Sequence, residues 1–338
     1  MRKANLALVG LLVLSAAACK KGGSGKDDLQ LVPKEAEVLF RLNLEKLRAA
    51  PAWKNVIELR DSNEKSKKEY ADFVQKCGLD PFTQISSVFL AVPQIQNTGM
   101  KEFAVVMRGT FNEAKLVECA TNQAKERGGE VKSSEYNGKK IYSDGKKDEA
   151  FVTFLDDKTV VLGGKEWVKK VVDLAKADGD HVGKSEALAP LAKKVKSSDA
   201  LWFAGLVPQN MRDAMKMNPA MAWTGSMKAV YGSIDIASGF AGDFNVDNND
   251  EAAAKEMLSK LTEQLNGAKK MPQLTMAGLS GLLEGIKFEQ KGATFHATVA
   301  LNQAQVDDLI NRVKALMKSM GQAFGGGGGG PPPSMPPQ

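Results

Sequence analysis

Histidine is nearly absent from this 338-residue chain: only His181 and His296 occur. That scarcity leaves no His-Glu-x-x-His zinc helix, and the chain likewise holds no Gly-x-Ser-x-Gly nucleophile elbow and no Walker phosphate loop. His181 lies in Asp178-Gly179-Asp180-His181 with no second imidazole nearby in sequence. His296 shares its strand face with Thr294 and Thr298 and reads as solvent-facing. A Ser-His-Asp site depends on spatial proximity, which sequence order does not decide. The glycine clusters Gly22 to Gly25 and Gly163-Gly164 lack the flanking pattern of a nucleotide fingerprint. Cysteine is equally sparse. Cys19, Cys77 and Cys119 form no Cys-x-x-Cys, so a thioredoxin-like redox site has little support. Lysine pairs such as Lys67-Lys68, Lys139-Lys140 and Lys193-Lys194 stand among acids without interleaved aromatics, which argues for solvated faces and against nucleic acid as a partner. The expectation is no enzyme, no cofactor and no metal site.

Long hydrophobic runs are also missing. Ala4 to Leu14 is apolar but falls short of the about 20 residues that a bilayer-spanning helix needs. Arg2 and Lys3 precede it and the small residues Ser15 to Ala18 follow, so the stretch reads as a secretory signal. The next residue is Cys19. With that cysteine in place the stretch resembles the lipobox of bacterial lipoproteins, although Ala16 stands three positions before Cys19, where that family most often has leucine. The resemblance implies that the Cys19 thiol receives a diacylglycerol, that cleavage falls just before it, and that the new amino group is acylated, palmitate being a typical chain. Two or three such chains, at about 0.8 kcal/mol per buried methylene, hold a protein on a membrane. Cleavage at an ordinary secretory site is the alternative. Lys20 is not the aspartate associated with inner-membrane retention in many lipoproteins, which implies the outer membrane as the location.

The chain as a whole has ordinary globular composition, 43% hydrophobic and 25% charged, and is long enough for one large or two modest domains. Net charge is +6, and loss of Arg2 and Lys3 with the signal lowers it by two. Cys77 and Cys119 remain after Cys19. In an oxidising compartment this even pair reads as a disulfide, the alternative being two separate buried thiols. Met211, Met215, Met217, Met221 and Met227 crowd one stretch, and thioethers can hold Cu(I). Met211 and Met215 are also spaced for one helix face as adaptable core filler, the reading adopted here.

The polar, glycine-rich residues up to about 31 read as a flexible tether, with structure beginning near Val32-Pro33. Val38, Phe40 and Leu42 alternate with Glu37, Leu39 and Arg41 as a strand with one clearly buried face, and Asn43 can cap the helix after it. Thr110 with Glu113 fits a capping box before a helix whose stripe is Leu116, Val117, Ala120 and Ala124. Asn137-Gly138 is a type I′ hairpin signal. Strands at 150–155 and 159–162 precede a helix carrying Trp167, Val168, Val171, Val172 and Ala175.

This order recurs. Met257, Leu258, Leu261 and Leu265 each stand 141 positions after the first stripe, behind an expected cap at Asn248 with Glu251. Val306, Leu309, Ile310 and Val313 each stand 138 positions after Val168, Val171, Val172 and Ala175. The expected fold is therefore α+β, two duplicated units of mostly antiparallel sheet with amphipathic helices packed on one face. The boundaries are signal 1–18, tether 19–31, first unit 32–197, second unit 198–323 and a disordered Gly/Pro-rich tail 324–338. The opening Pro33-x-x-Ala36-x-Val38-x-Phe40 through Leu47-Arg48-x-x-Pro51-x-Trp53 resembles uncharacterised envelope lipoproteins of Gram-negative bacteria, a resemblance that carries no known activity.

Two function classes follow. The first, and the expectation, is a membrane-anchored envelope lipoprotein acting as a non-catalytic binding or scaffolding module for an envelope protein. The alternative is a periplasmic carrier of a lipid or other apolar ligand. A cavity between sheet and helices favours the carrier; a packed core with an exposed apolar patch favours the module. The anchor has a direct measurement: mass spectrometry of the mature protein from its own membrane should show an N-terminus at acylated Cys19, and an unmodified thiol or cleavage elsewhere removes it.

Overall fold

A computed structural model describes residues 26–93, 102–145, 150–272, 274, 280–312 and 314. The export signal with Cys19 and the tail 324–338 lie outside the described residues. The first unit runs α1 (Asp28–Leu31), β1 (Val38–Asn43), α2 (Leu44–Ala49), α3 (Trp53–Asp61), α4 (Glu64–Cys77), α5 (Pro81–Gln84), β2 (Ile85–Val92), β3 (Ala104–Gly109), α6 (Glu113–Glu126), β4 (Lys132–Tyr136), β5 (Lys139–Ser143), β6 (Phe151–Asp156), β7 (Thr159–Gly163), α7 (Lys165–Lys176) and α8 (Ala189–Lys194). The second runs β8 (Leu201–Leu206), α9 (Gln209–Met217), β9 (Met227–Asp235), β10 (Gly239–Asn248), α10 (Glu251–Lys269), α11 (Ser280–Leu283), β11 (Ile286–Lys291), β12 (Thr294–Asn302) and α12 over 303–312.

Every strand pairs antiparallel in one twelve-stranded sheet, ordered β11-β12-β10-β9-β8-β1-β2-β3-β7-β6-β5-β4. The order reads outward from the middle in two equivalent directions. From β1 it passes β2, β3, β7 and β6; from β8 it passes β9, β10, β12 and β11. The duplicated units thus meet at the β1–β8 seam, where Phe40 faces Phe203. The β4–β5 hairpin is an addition to the first unit, closed by Asn137 and Gly138 with positive φ of 47° and 70°, as the type I′ signal requires.

Directly paired residues share a sheet face, so the register sorts the core. Leu39, Phe89, Val106, Val161, Trp202 and Ala204 look one way and pack beneath Val168, Val171 and Val172 of α7, with Leu191 of α8 and with Leu31 and Val32. Val88, Met107, Val152 and Val160 look the other way, toward Leu116 and Val117 of α6. Helices therefore cover both faces, where one was expected, because the central strands are apolar on both sides. Glycine has a specific task at Gly232, which stands between Phe203 and Phe244 in neighbouring strands. An added Cβ would lie 2.2 Å from the Asp243 carbonyl, and without one the two rings approach to 6.1 Å across it.

Structure begins earlier than Val32. Asp27 and Gln30 form a capping box around α1, and Leu31 and Val32 are fully buried, so ordered structure starts inside the stretch expected to be tether, 19–31. Asn43 caps α2 as expected, accepting from Lys46 N. The caps expected at Thr110 and Asn248 each fall two residues on, at Asn112 and Asp250. Thr110 N donates to Gln84 O and Asn248 N to Ala293 O, so both backbones are still engaged with neighbouring segments and the helices start only afterwards. Cap to cap, the repeat offset is 138 rather than 141, and it places buried Met257 where Cys119 stands. The stripe of α12 matches that of α7 in sequence only. Val168, Val171 and Val172 are buried, whereas Val306, Leu309 and Ile310 are half-buried, and Lys314 reaches Asn55 and Glu58 of α3. Of the α9 pair expected as core filler, Met215 is half-buried but Met211 is exposed, as are Met217 and Met221.

Burial separates two truncations. Leu39→Ala, at a fully buried site of the seam strand, should cost about 2–5 kcal/mol in urea unfolding. Met217→Ala, 84% exposed, should stay within about 0.5 kcal/mol of the parent.

Candidate functional site

Helices α6 and α7 are both amphipathic, yet they meet the sheet differently. Five residues of α7 are buried, Trp167 among them, while α6 buries only Cys119. The reason is side-chain volume. The inward stripe of α6 continues from Leu116 and Val117 to Ala120 and Ala124, two methyl groups where a sealed helix carries branched side chains. The result is a cavity of about 570 Å³ between α6 and strands β3, β7, β6 and β5. Met107, Val152, Phe154, Val160 and Leu162 form its floor. Leu116, Val117, Ala120 and Ala124 form its roof, and the exposed Arg127, Gly129 and Glu130 give it a polar mouth. That size, apolar lining and polar rim match small-ligand sites in general.

Two contacts hold the roof. Tyr142 Oη, from the floor strand β5, donates to Glu113 Oε1 at 2.7 Å in the first turn of α6. Burial, and then that carboxylate, push the Tyr142 pKa up to about 12, so the phenol stays protonated and the bond persists across neutral pH. In the middle of the helix, Cys119 is joined to Cys77 at the end of α4 in a disulfide with Cα atoms 5.0 Å apart. Gln123 Nε2 lies 3.5 Å from Cys119 Sγ. Beyond these points α6 ends at Arg127, and Gly128, in the left-handed conformation at φ 71°, turns the chain at the mouth.

The residues flagged by sequence are placed apart. His181 is buried, its Nε2 3.2 Å from Asp178 Oδ1 and its Nδ1 without a partner among the described residues. His296 is half-exposed, with Nε2 3.3 Å from Asp243 Oδ2. Neither ring bonds a serine or threonine hydroxyl among the described residues. Cys77 and Cys119 do belong to the site, as the clasp of its roof. Tyr142, Glu113 and the floor residues escaped the sequence reading; the one available signal was the pair of alanines in the α6 stripe.

Other recesses differ in kind. One of about 610 Å³ along α10 is lined by polar and small residues of that helix alone, from Ser259 to Lys270. Another, of about 870 Å³, is polar and lies beside α1.

No protein-family model and no curated protein matches the chain. Among solved structures, those titled crystal forms III, I and IV of TP0453 are similar at 13%, 13% and 12% identity. Each alignment covers 86% of this chain, and 100%, 98% and 96% of those chains, with TM-scores of 0.46, 0.43 and 0.46. At that distance the functional reading rests on the site itself.

The clasp is open to test. Serine at both Cys77 and Cys119 should lower stability by about 2–4 kcal/mol in urea unfolding, for a bridge of sequence separation 42. A thiol count on unreduced, unfolded protein should find neither cysteine free; two free thiols here would show that the clasp does not form.

Proposed function

We propose that this chain is a lipid-anchored protein of the bacterial envelope, held at the outer membrane through acylated Cys19, that carries an apolar ligand of acyl-chain character beneath α6. The observation that carries the reading is the stand-off of α6 from the sheet. An amphipathic helix without a use for the gap would close on the floor, because each unfilled volume forfeits contacts that packing would supply. Here the gap is about 570 Å³, and its apolar floor lies behind a polar mouth. The chain performs no covalent chemistry in this reading. Tyr142 and Glu113 act as a brace, and Arg127 at the mouth offers a cation to a ligand carrying an anionic end.

The binding-module reading keeps one observation of its own. Val56 and Leu59, one turn apart on α3, are 42% and 66% exposed, and Met217 and Met221 are exposed near α9, apolar groups open to a protein partner. These residues are scattered on different elements, whereas the cavity lining is contiguous, so the carrier is preferred.

The test is displacement of a fluorescent fatty acid from the full mature chain. The parent should bind saturably, and Ala124→Trp, which fills the roof, should weaken binding at least tenfold with an unchanged melting temperature. Equal binding by parent and variant, or none by either, overturns the carrier.

A further inference from the structure

Strands β1 and β3 carry arginines where their neighbours predict apolar residues. Leu39 and Val106 point into the main core, and the next positions on the same face are Arg41 and Arg108. Both side chains are three-quarters buried or more, and both use one carboxylate. Arg41 Nε lies 3.2 Å from Asp28 Oδ2, and Arg108 Nε 3.0 Å from Asp28 Oδ1. Arg108 is well occupied otherwise, donating to Thr159 Oγ1 at 2.9 Å and to the Lys26 carbonyl at 2.8 Å. Arg41 is not. Its only other bond is a long one of 3.5 Å from Nη1 to the Ser197 carbonyl, and Nη2 has no acceptor among the described residues.

Both arginines line the polar cleft of about 870 Å³ beside α1. Lys158, whose Nζ donates only to Thr110 Oγ1 at 3.2 Å, lines it too, as do the hydroxyl-bearing Ser86 and Ser87. Trp202 forms part of the wall, 3% exposed, and its buried Nε1–H has no acceptor among the described residues. The lining carboxylates are Asp28, held between the arginines, Asp27, which accepts from Gln30 N as the α1 cap, and Glu45 in the first turn of α2. Against them stand four cations: Lys26, Arg41, Arg108 and Lys158. Lys26 Nζ is occupied by the carbonyls of Leu174 and Ala177.

We propose that this cleft binds a phosphate group, with the open edge of Arg41 and the Lys158 ammonium supplying charge and the Ser87 hydroxyl supplying a neutral donor. A guanidinium with a free edge presents its N–H groups to an oxyanion in the geometry phosphate accepts. The phosphate has two sources. It can be free, or it can belong to a phospholipid headgroup, since Lys26 follows Cys19 by a segment that spans at most about 25 Å when fully extended. The lipid source rests on the proposed anchor; the site does not.

Isothermal titration of the full mature chain separates the possibilities, with inorganic phosphate and glycerophosphoglycerol as probes. At least one should bind saturably, and Arg41→Gln should weaken it at least tenfold. Lys158→Gln, which leaves Asp28 its partners, should weaken it severalfold at an unchanged melting temperature. Preference for glycerophosphoglycerol assigns the headgroup, and preference for inorganic phosphate assigns a free ligand. No saturable binding of either probe, or equal binding by parent and both variants, overturns the proposal.

Discussion

Five residue pairs between β1 and β8 join two α+β units into one sheet, with Phe40 opposite Phe203 at the centre. Without that seam each unit would present an open apolar edge, a template for pairing with other chains. With it, β1, β2 and β8 are buried on the face of Leu39, Phe89 and Ala204 and half-buried on the other, and the free edges move to β4 and β11. Both edges are marked by charge, Lys132 and Glu135 on one and Lys287, Glu289 and Lys291 on the other, as edge strands in natural sheets commonly are.

Duplication supplies two similar sets of elements, and the differences between the sets decide where ligands can go. In the first unit α7 seals one face with Trp167 and three valines, and α6 covers the other incompletely because its stripe turns to alanine. In the second unit, the same sheet face as Leu39 and Ala204 carries Asp243, Asn245 and Asp247 on β10, and the neighbouring strand offers Thr294 and His296. A half-exposed polar face of that kind is how an antiparallel sheet meets water. A single disulfide and a single tyrosine–carboxylate bond then set the height of the α6 roof. The same contacts that stabilise the first unit therefore also shape its cavity.

Charge reaches the rim of the core beside α1. Arg41 and Arg108 continue the inward face of the central strands and clamp Asp28, which fixes α1 and with it the point where the chain leaves the domain. Burying two guanidiniums against one carboxylate is an arrangement that packing alone does not favour, since an uncompensated buried charge is costly. Leu31 and Val32, just beyond, are fully buried and hold the segment from the apolar side.

Much of this architecture was legible in the residues. The Asn43 cap and the Asn137-Gly138 turn rest on interactions within a few positions of one another, so local physics decides them. β1 stands where its alternation places a strand, but its buried residue is Leu39 while Val38, Phe40 and Leu42 are half-buried, because the α7 side of the sheet is the better covered one. The caps at Asn112 and Asp250 were misplaced by two residues because Thr110 and Asn248 bond partners distant in sequence. Apolar stripes showed which helices pack, but not how tightly: the stripe of α12 repeats that of α7 and is only half-buried. The meeting of Arg41 and Arg108 over Asp28 and the cavity under α6 were left to the tertiary structure. Each is a relation between surfaces brought together by the sheet. A periodic pattern states which side of an element is apolar, while the space left between two such sides depends on the shapes of both.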